Sequence, residues 1–557
     1  MENELNNSLW AIYYESEAYS VSGERIMGRQ AAGNALLRAY ARSSYKNIAV
    51  YTKDKNSVEN FANSFKPLLP KGNSKNIVHI PFSNPIKSEI FGGIYYPAPD
   101  ITKLSNQRFF YGHNNYSLVG ITHTTASEGV INSLIENYTA PLMEWDAIIC
   151  TSNSVKNSID TLYDQNFEML KDKIGASKKP NFQLPVIPLG VHVDDYNFDD
   201  NDRNTSRKNL GIQEDDIVLL FLGRLSFHAK AHHAPMYLAL EEVAKKVSKK
   251  KKIHLIQTGW FPNPSVEKIF KDDAKSLAPS VIFHYLDGRK DVDKKNSYAA
   301  SDIFISLVDN FQETFGLTPL EGMASNLPVI VSDWNGYKDT VRDTIDGFRI
   351  KSSTMPPGNG YNMALRHNLG IDNYDHYIGR TSQTVSLDIN ETIEKIILLI
   401  ENENLRKEIG NNAKKRAKDF DWLQVLKLYN DLKEELNNKR QLFVKEKNKT
   451  FLPPVNIQDQ YTFFSDYASL RINYETEIVS VKGINNFNIR EFSQFGSISF
   501  LNDILPPIDL LERTFDYLND KNECKISDIV NILGVSDTMT YKVVLWLAKY
   551  GYLRIKS

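Results

Sequence analysis

Short apolar runs alternate with amphipathic stretches along the chain, and this alternation limits the fold more than any other feature. LWAIYY (9–14), NIAVYT (47–52), NIVHIPF (76–82), SLVGITH (117–123) and AIICTS (147–152) are continuous apolar segments of strand length. Strands that are apolar all along need cover on both faces, which a parallel sheet with crossover helices provides. Stretches such as AAGNALLRAYARSS (31–44) have the helical period such crossovers require. LPVIPLGVHV (184–193) is a further strand or the exit from this first domain, and the polar DDYNFDDNDRNTSRKN (194–209) is expected to be a boundary loop. The pattern then restarts. IVLLFLGRL (217–225), HLIQTGW (254–260), VIFHYL (281–286), DIFISLV (302–308) and PVIVSDW (328–334) predict a second sheet, with helices such as PMYLALEEVAKKVSKK (235–250) between its strands. Long helical patterns follow from 389 to 438.

A chain of 557 residues is too long for one core, so two or three domains are expected. The net charge of −2 gives no global field for nucleic acid or an anionic membrane. The two cysteines, Cys150 and Cys524, exclude a disulfide scaffold and suit a reducing compartment. MENELNNSLW lacks the basic and apolar regions of a signal peptide, and no apolar run has the length of a membrane span. The expectation is a cytoplasmic protein, with peripheral contact at the inner face of a membrane left open.

The stretch NFQETFGLTPLEGMA (310–324) carries the chemistry. It lies beyond the carboxyl end of an apolar strand, where open α/β sheets bind ligands. Thr318-Pro319-Leu320-Glu321 predicts a helix start, with Thr318 as N-cap and Glu321 three residues on. A helix N-terminus offers free N–H groups and a positive dipole end. Gly316 lets an anion approach those amides, while Glu313 and Glu321 stand ready to accept hydrogen bonds from hydroxyls on either side. An anion between two hydroxyl-bearing groups describes a sugar, a diphosphate and a ribose. The competing reading makes Glu321 the partner in a capping box and Glu313 a solvated loop residue. Upstream, Arg224 and Lys230 in FLGRLSFHAKAHH (221–233) place two cations on another loop after a strand, which suits a diphosphate leaving group.

The seven-residue spacing between Glu313 and Glu321, with Gly223, Arg224 and Lys230 upstream, resembles the retaining glycosyltransferases of family 4, which have the GT-B fold. VIPLGVHVDDY (186–196), WDAIICTSNSV (145–155), NLPVIVSDWNGYKDTV with DGF (326–348) and FDWLQVLKLYNDL (420–432) resemble further segments of that family, in order. The likeness extends over residues 8–440. It implies an α/β protein of two Rossmann-like domains facing across a cleft. Residues 1–205 would form the acceptor domain, 206–420 the nucleotide-sugar donor domain, and 421–440 a helix crossing back. Residues 441–557 would be a linker and an added α+β, winged-helix-like domain.

The same resemblance implies roles. Arg224 and Lys230 would neutralise the donor diphosphate. The amides around Phe315, Gly316, Leu317 and Thr318 would hold a phosphate and sugar oxygens. Glu313 would bind the donor sugar and Glu321 the ribose. His123 would close the first-domain side of the cleft, Gly28 would lie in a loop meeting the phosphates, and Arg289 would stand near the nucleobase. Gly33, five residues after Gly28, is assigned to helix packing. The implied function is retaining, metal-independent hexosyl transfer from a nucleotide sugar to a hydroxyl of a glycan, lipid-linked glycan or protein. No cofactor is needed, and a UDP-sugar is favoured as donor. Two rivals remain: a GT-B sugar phosphorylase, and a non-catalytic nucleotide-sugar sensor with the C-terminal module as output.

Other clusters invite metal or nucleic-acid readings. Asp200-Asn201-Asp202 mimics a DxD metal site but lies in a polar segment, and His228, His232 and His233 have no nearby cysteine to complete a zinc site. Lys245, Lys246 and Lys249–Lys252 suit a solvated helix end, with anionic lipid as the alternative. Residues 507–557 read as three helices and a short strand, with seven basic and seven acidic side chains. That neutral balance argues against DNA and favours a module for protein interaction, acceptor docking or dimerisation.

Overall fold

The computed structural model describes residues 8–21, 28–247, 251–444, 452–481 and 483–556. It falls into two compact units, residues 1–456 and 457–557. The first unit contains both predicted sheets. Strands β1 (Ala11–Tyr13), β2 (Asn47–Thr52), β3 (Asn76–Pro81), β4 (Gly93–Tyr95), β5 (Ser117–Ile121) and β6 (Ala147–Ile149) pair in the order β3-β2-β1-β4-β5-β6. Strands β7 (Ile217–Leu222), β8 (Ile253–Gly259), β9 (Ile282–Asp287), β10 (Ile303–Ser306), β11 (Val329–Ser332) and β12 (Gly347–Ile350) pair as β12-β11-β10-β7-β8-β9. Every pairing in both sheets is parallel. Read from its own first strand, each sheet has the order 3-2-1-4-5-6 of a dinucleotide-binding fold, and its strand order reverses beside that first strand. Two such domains in tandem are the GT-B architecture expected from the sequence.

The apolar runs became strands, and β2, β5, β7 and β8 are buried along their whole length, whereas the edge strands β3 and β9 are only partly buried. Two strands gave no such signal. β4 and β12 are short and begin with glycines, Gly93 and Gly347. A Cβ on Gly93 would lie 2.3 Å from the Ser117 carbonyl oxygen, so the close pairing with β5 demands the missing side chain.

The boundary between the domains differs from the expected loop. Asp200–Leu210 is a helix (α2, counting Gly28–Arg42 as α1). Asp199 accepts from the Asp202 amide while Asp202 accepts from the Asp199 amide, closing a capping box. Asp200 and Asp202 are therefore first-turn carboxylates at the positive end of a helix. Arg207 is buried and donates to the carbonyls of Ala300, Gln213 and Glu214 at 3.0 Å and to Asp302 at 2.7 Å, tying α2 into the second domain. The 184–193 segment forms no strand beyond isolated bridges, Cys150 with Val186 and Val191 with Asp421, and serves as the exit.

Further along come α3 (His233–Lys246), α4 (Asp291–Ala300), α5 (Leu317–Ala324) and α6 (Trp422–Val444). Helix α6 returns to the first domain. Trp422 N–H donates to the Val191 carbonyl at 3.1 Å, and a Cβ on Gly190 would lie 2.4 Å from the Trp422 ring. Lys433 reaches the Ser8 carbonyl at 2.7 Å, and Arg440 the carbonyls of Gly92 and Asn115 at 3.1 and 2.9 Å.

The second unit has its own core, including Leu511, Leu518, Ile529, Val543, Val544 and Leu547. Its longest helices are α7 (Ile508–Lys521), α8 (Ile526–Leu533) and α9 (Asp537–Lys549). Its strands Glu477–Ser480, Glu523–Lys525 and Leu553–Ile555 form an antiparallel sheet with the first of them central. This order is winged-helix-like, with two short strands beyond the sequence reading. The apolar face of α9 turns inward, as its composition predicts.

One buried ion pair anchors the first sheet. Arg108 and Asp146 are both fully buried, and Arg108 NH2 donates to Asp146 Oδ2 at 2.5 Å. Asp146 also accepts from the amides of Leu118 and Met143, both at 2.8 Å. Removing one partner leaves an uncompensated buried charge, so Asp146→Ala is expected to destabilise the domain by about 3–5 kcal/mol. Urea unfolding of the full chain measures this; a loss under about 1 kcal/mol would contradict it.

Candidate active site

The loops that follow β7 and β10 are the ones at the switch point of the second sheet, where a parallel sheet opens a crevice. Arg224 and Lys230 follow β7, and Glu313 follows β10. Helix α5 starts at Leu317, with Gly316 as its N-cap at φ +88° and no side chain capping it. The predicted start is therefore corrected. Thr318 lies inside the helix, and its hydroxyl is buried without a hydrogen-bond partner among the described residues. Gly316 is required twice over: its φ is left-handed, and a Cβ there would lie 1.9 Å from the Tyr337 ring.

Two ammonium–carboxylate pairs flank this helix start. Lys230 donates to Glu313 Oε2, while Glu313 Oε1 accepts from the amides of Thr314 and Phe315 at 3.2 and 3.4 Å. Burial alone would raise the Glu313 pKa, but the Lys230 charge and these amides hold it below the ordinary value. On the other side Lys294 donates to Glu321 Oε1 at 2.6 Å and the Tyr298 hydroxyl to Oε2 at 2.7 Å. Glu321 is thus not the partner in a capping box. Arg224 donates to the Ala229 carbonyl at 2.9 Å, which folds the loop between the two cations. Burial lowers the Arg224 pKa, while Asp375, Tyr374 and Glu313 act to raise it.

The first domain closes the other wall. The Thr314 hydroxyl donates to the His123 carbonyl at 3.0 Å, and the Ser152 hydroxyl donates to the Thr314 carbonyl at 2.8 Å. His123 is pushed down to about 4 by burial, with the Arg29 charge acting the same way and a hydrogen bond to Pro97 opposing. It is neutral near pH 7. Gly28 begins α1 and faces open space, so packing does not require a glycine there. Gly33 is different: a Cβ would lie 2.3 Å from the Ala18 carbonyl oxygen, which gives it the packing role. Arg289 lies at the end of β9 and pairs with Asp287 at 2.8 Å.

These side chains surround one cleft of about 350 Å³. Gly28, His123, Arg224, Lys230, Arg289, Glu313, Phe315, Gly316, Leu317, Thr318 and Glu321 all line it. So do residues the sequence reading passed over, among them Arg29, Trp260, Asn310 and Lys294. Lys294 had a faint signal, since it stands four residues before Tyr298 and so shares a helix face with it. The histidine cluster takes other partners. His233 pairs with Asp273 at 2.7 Å, and His232 accepts from the Ala234 amide at 3.3 Å as the cap of α3. Lys245 pairs with Glu242 at 3.0 Å at the end of α3, while Lys249 and Lys250 lie outside the described residues. Among the described residues no helix is long and apolar enough to cross a membrane.

Residues 202–355 match the model of the family described as glycosyl transferases group 1. The chain carries a group 1 glycosyl transferase domain. That domain holds Arg224, Lys230, Glu313 and Glu321. A D-inositol 3-phosphate glycosyltransferase of Geodermatophilus obscurus is 27% identical over 184 residues, which is 33% of this chain and 39% of that protein. Its namesake in Corynebacterium glutamicum is 26% identical over 323 residues, 56% of this chain and 66% of the relative. The chain thus aligns with less than two thirds of these relatives' length. Among solved structures, HepE of Anabaena in complex with UDP aligns over 77% of this chain and 100% of its own, with 14% identity and a TM-score of 0.48. A glycosyltransferase from Rickettsia africae aligns over 74% and 96%, with 16% identity and a TM-score of 0.48.

Two predictions follow from the local chemistry of the group 1 domain and the wall it faces. Gly316→Ala forces a side chain into left-handed backbone and into Tyr337. It should cost at least about 1–3 kcal/mol, read as a lowered melting temperature; an unchanged melt would contradict the geometry. The second concerns acid. His113 and His192, like His123, are pushed down to about 4 by burial. The unfolded chain takes up these protons near pH 6.5, the folded chain only near 4. Stability is therefore full above 6.5 and falls between 6.5 and 4. Asp309, pushed up to about 7 by burial, acts in the opposite sense, but His228, His232, His233, His254 and His284 are also lowered by burial and add to the fall. Urea midpoints should drop steadily over that window; a flat profile would contradict the buried neutral histidines.

Proposed function

We propose that the protein is a retaining, metal-independent glycosyltransferase that moves a sugar from a nucleotide sugar to a hydroxyl acceptor. One observation supports this above the others. An uncapped helix start stands in the cleft between two α/β domains, with Arg224 and Lys230 beside it and a carboxylate on either side.

On this reading the diphosphate lies against the first amides of α5. As the glycosidic bond breaks, negative charge grows on the nucleoside diphosphate. Arg224, Lys230 and the helix start stabilise it in place, the task a metal ion performs elsewhere. Lys230 is already inside the site, neutralising Glu313, and exchanges that partner for a phosphate oxygen when donor binds. Glu313, released towards the sugar, accepts hydrogen bonds from its hydroxyls. Glu321 accepts from the ribose. Neutral His123 backs the sugar from the first domain and adds no charge beside the reacting carbon. The acceptor hydroxyl attacks on the face the diphosphate leaves, and a leaving phosphate oxygen takes its proton, so configuration is retained. The unit at 457–557 serves to dock an acceptor or a protein partner.

Calorimetry of the full chain with UDP, GDP, ADP and TDP, all in EDTA, tests the donor site. One nucleotide should bind, and Arg224→Ala should weaken it about tenfold to a hundredfold, the value of a charge-assisted hydrogen bond. Glu313→Gln should keep nucleotide binding yet lower transfer at least about a hundredfold. No binding of any nucleotide, with turnover of a sugar 1-phosphate instead, would replace this reading by a phosphorylase.

A further inference from the structure

Helix α4 presents Lys294 and Tyr298 one turn apart on a single face. Lys294 Nζ holds Glu321 Oε1 at 2.6 Å and the Tyr298 hydroxyl holds Oε2 at 2.7 Å, so one helix fixes both oxygens of one carboxylate. The brace continues outward. The Lys294 ammonium lies 5.7 Å from the centroid of the Tyr196 ring, and Tyr298 meets that ring edge-on at 5.3 Å and 87°. Tyr196 belongs to the segment joining the two domains, in the short 3-10 turn Val193–Tyr196. The pair is not a core contact: the Lys294 and Glu321 side chains are 27% and 13% exposed, and both line the cleft.

We propose that Lys294 and Tyr298 are positioning residues that hold Glu321 as a receptor for a cis-diol, and thereby make the site select a ribonucleotide over its 2′-deoxy counterpart. This rests on the reading of the cleft as a nucleotide-sugar site. An ionised carboxylate has about four acceptor positions. Lys294 and Tyr298 occupy one on each oxygen. The Tyr196 hydroxyl also bonds the carboxylate and is the partner a ribose hydroxyl would displace, so that one position on each oxygen faces two neighbouring hydroxyls. A nucleotide that lacks one hydroxyl leaves an acceptor unpaired in a half-buried site, the asymmetry by which polar sites reject analogues. Without Lys294 the carboxylate turns and hydrates, and selectivity falls before binding does. A purely structural ion pair between α4 and α5 would behave differently, because its loss would weaken both nucleotides alike.

The test is calorimetry of the full chain with UDP, GDP and ADP, then with the 2′-deoxy form of the nucleotide that binds. The wild type should prefer the ribonucleotide about tenfold or more. Lys294→Met should bring the ratio close to one, and Lys294→Arg should restore it. Tyr298→Phe, an isosteric change, should lower the ratio in the same direction, which keeps the test open should Lys294→Met fold poorly. A wild-type ratio near one, or variants that weaken both forms equally, would overturn the proposal while leaving the donor site standing. If no nucleoside diphosphate binds the wild type, the reading of the cleft falls and this inference falls with it.

Discussion

The ion pair between Lys230 and Glu313 is the contact on which the site depends. It joins the loop after β7 to the loop after β10, the two neighbouring strands at the switch point of the second sheet. Burial pushes the Glu313 carboxyl towards its neutral form, and the Lys230 charge is the largest effect opposing it. A lone ammonium at this depth would be costly for the same reason. Each makes the other tolerable, and together they store opposite charges where a charged, hydroxyl-rich ligand needs both. Lys294 and Glu321 repeat the device on the far side of α5. The cleft lining keeps a positive excess, with Arg29, Arg224, Arg289 and the two paired lysines against Glu313 and Glu321, and exchanges internal ion pairs for contacts with a ligand when one binds.

Everything else places those loops. Parallel sheets with the same strand order bring both switch points to one cleft, and α6 ties the second domain back to the first through Trp422, Lys433 and Arg440. Polar contacts join the two walls of the cleft, among them Thr314 to His123, Ser152 to Thr314 and Asn153 to Asp339. Polar contacts of this kind re-form at small cost, which suits domains that close around a ligand and open to release it.

Much of this was legible in the sequence, for physical reasons. Strands buried on both faces must be apolar throughout, so β2, β5, β7 and β8 announced themselves. The site residues that follow strands could be placed because the ends of such strands face the crevice. What failed to show had no local signature. β4 and β12 owe their existence to glycines that fit under a neighbouring backbone. The start of α5 turned on the left-handed backbone of Gly316, which the nearby Thr318 concealed behind a better capping residue. Lys294 reads as one more charge in a polar helix until folding brings Glu321, 27 residues later, against it. The 194–209 segment was different, because Asp199 and Asp202 form a capping pattern that marks a helix in the sequence itself.

The most direct test is a crystal structure of the full chain with the nucleoside diphosphate it binds, grown in EDTA. The diphosphate should lie against the first turn of α5 between Arg224 and Lys230, with the Lys230 ammonium moved off Glu313 onto a phosphate oxygen. A diphosphate bound elsewhere, or one that leaves the Lys230–Glu313 pair intact, would contradict it.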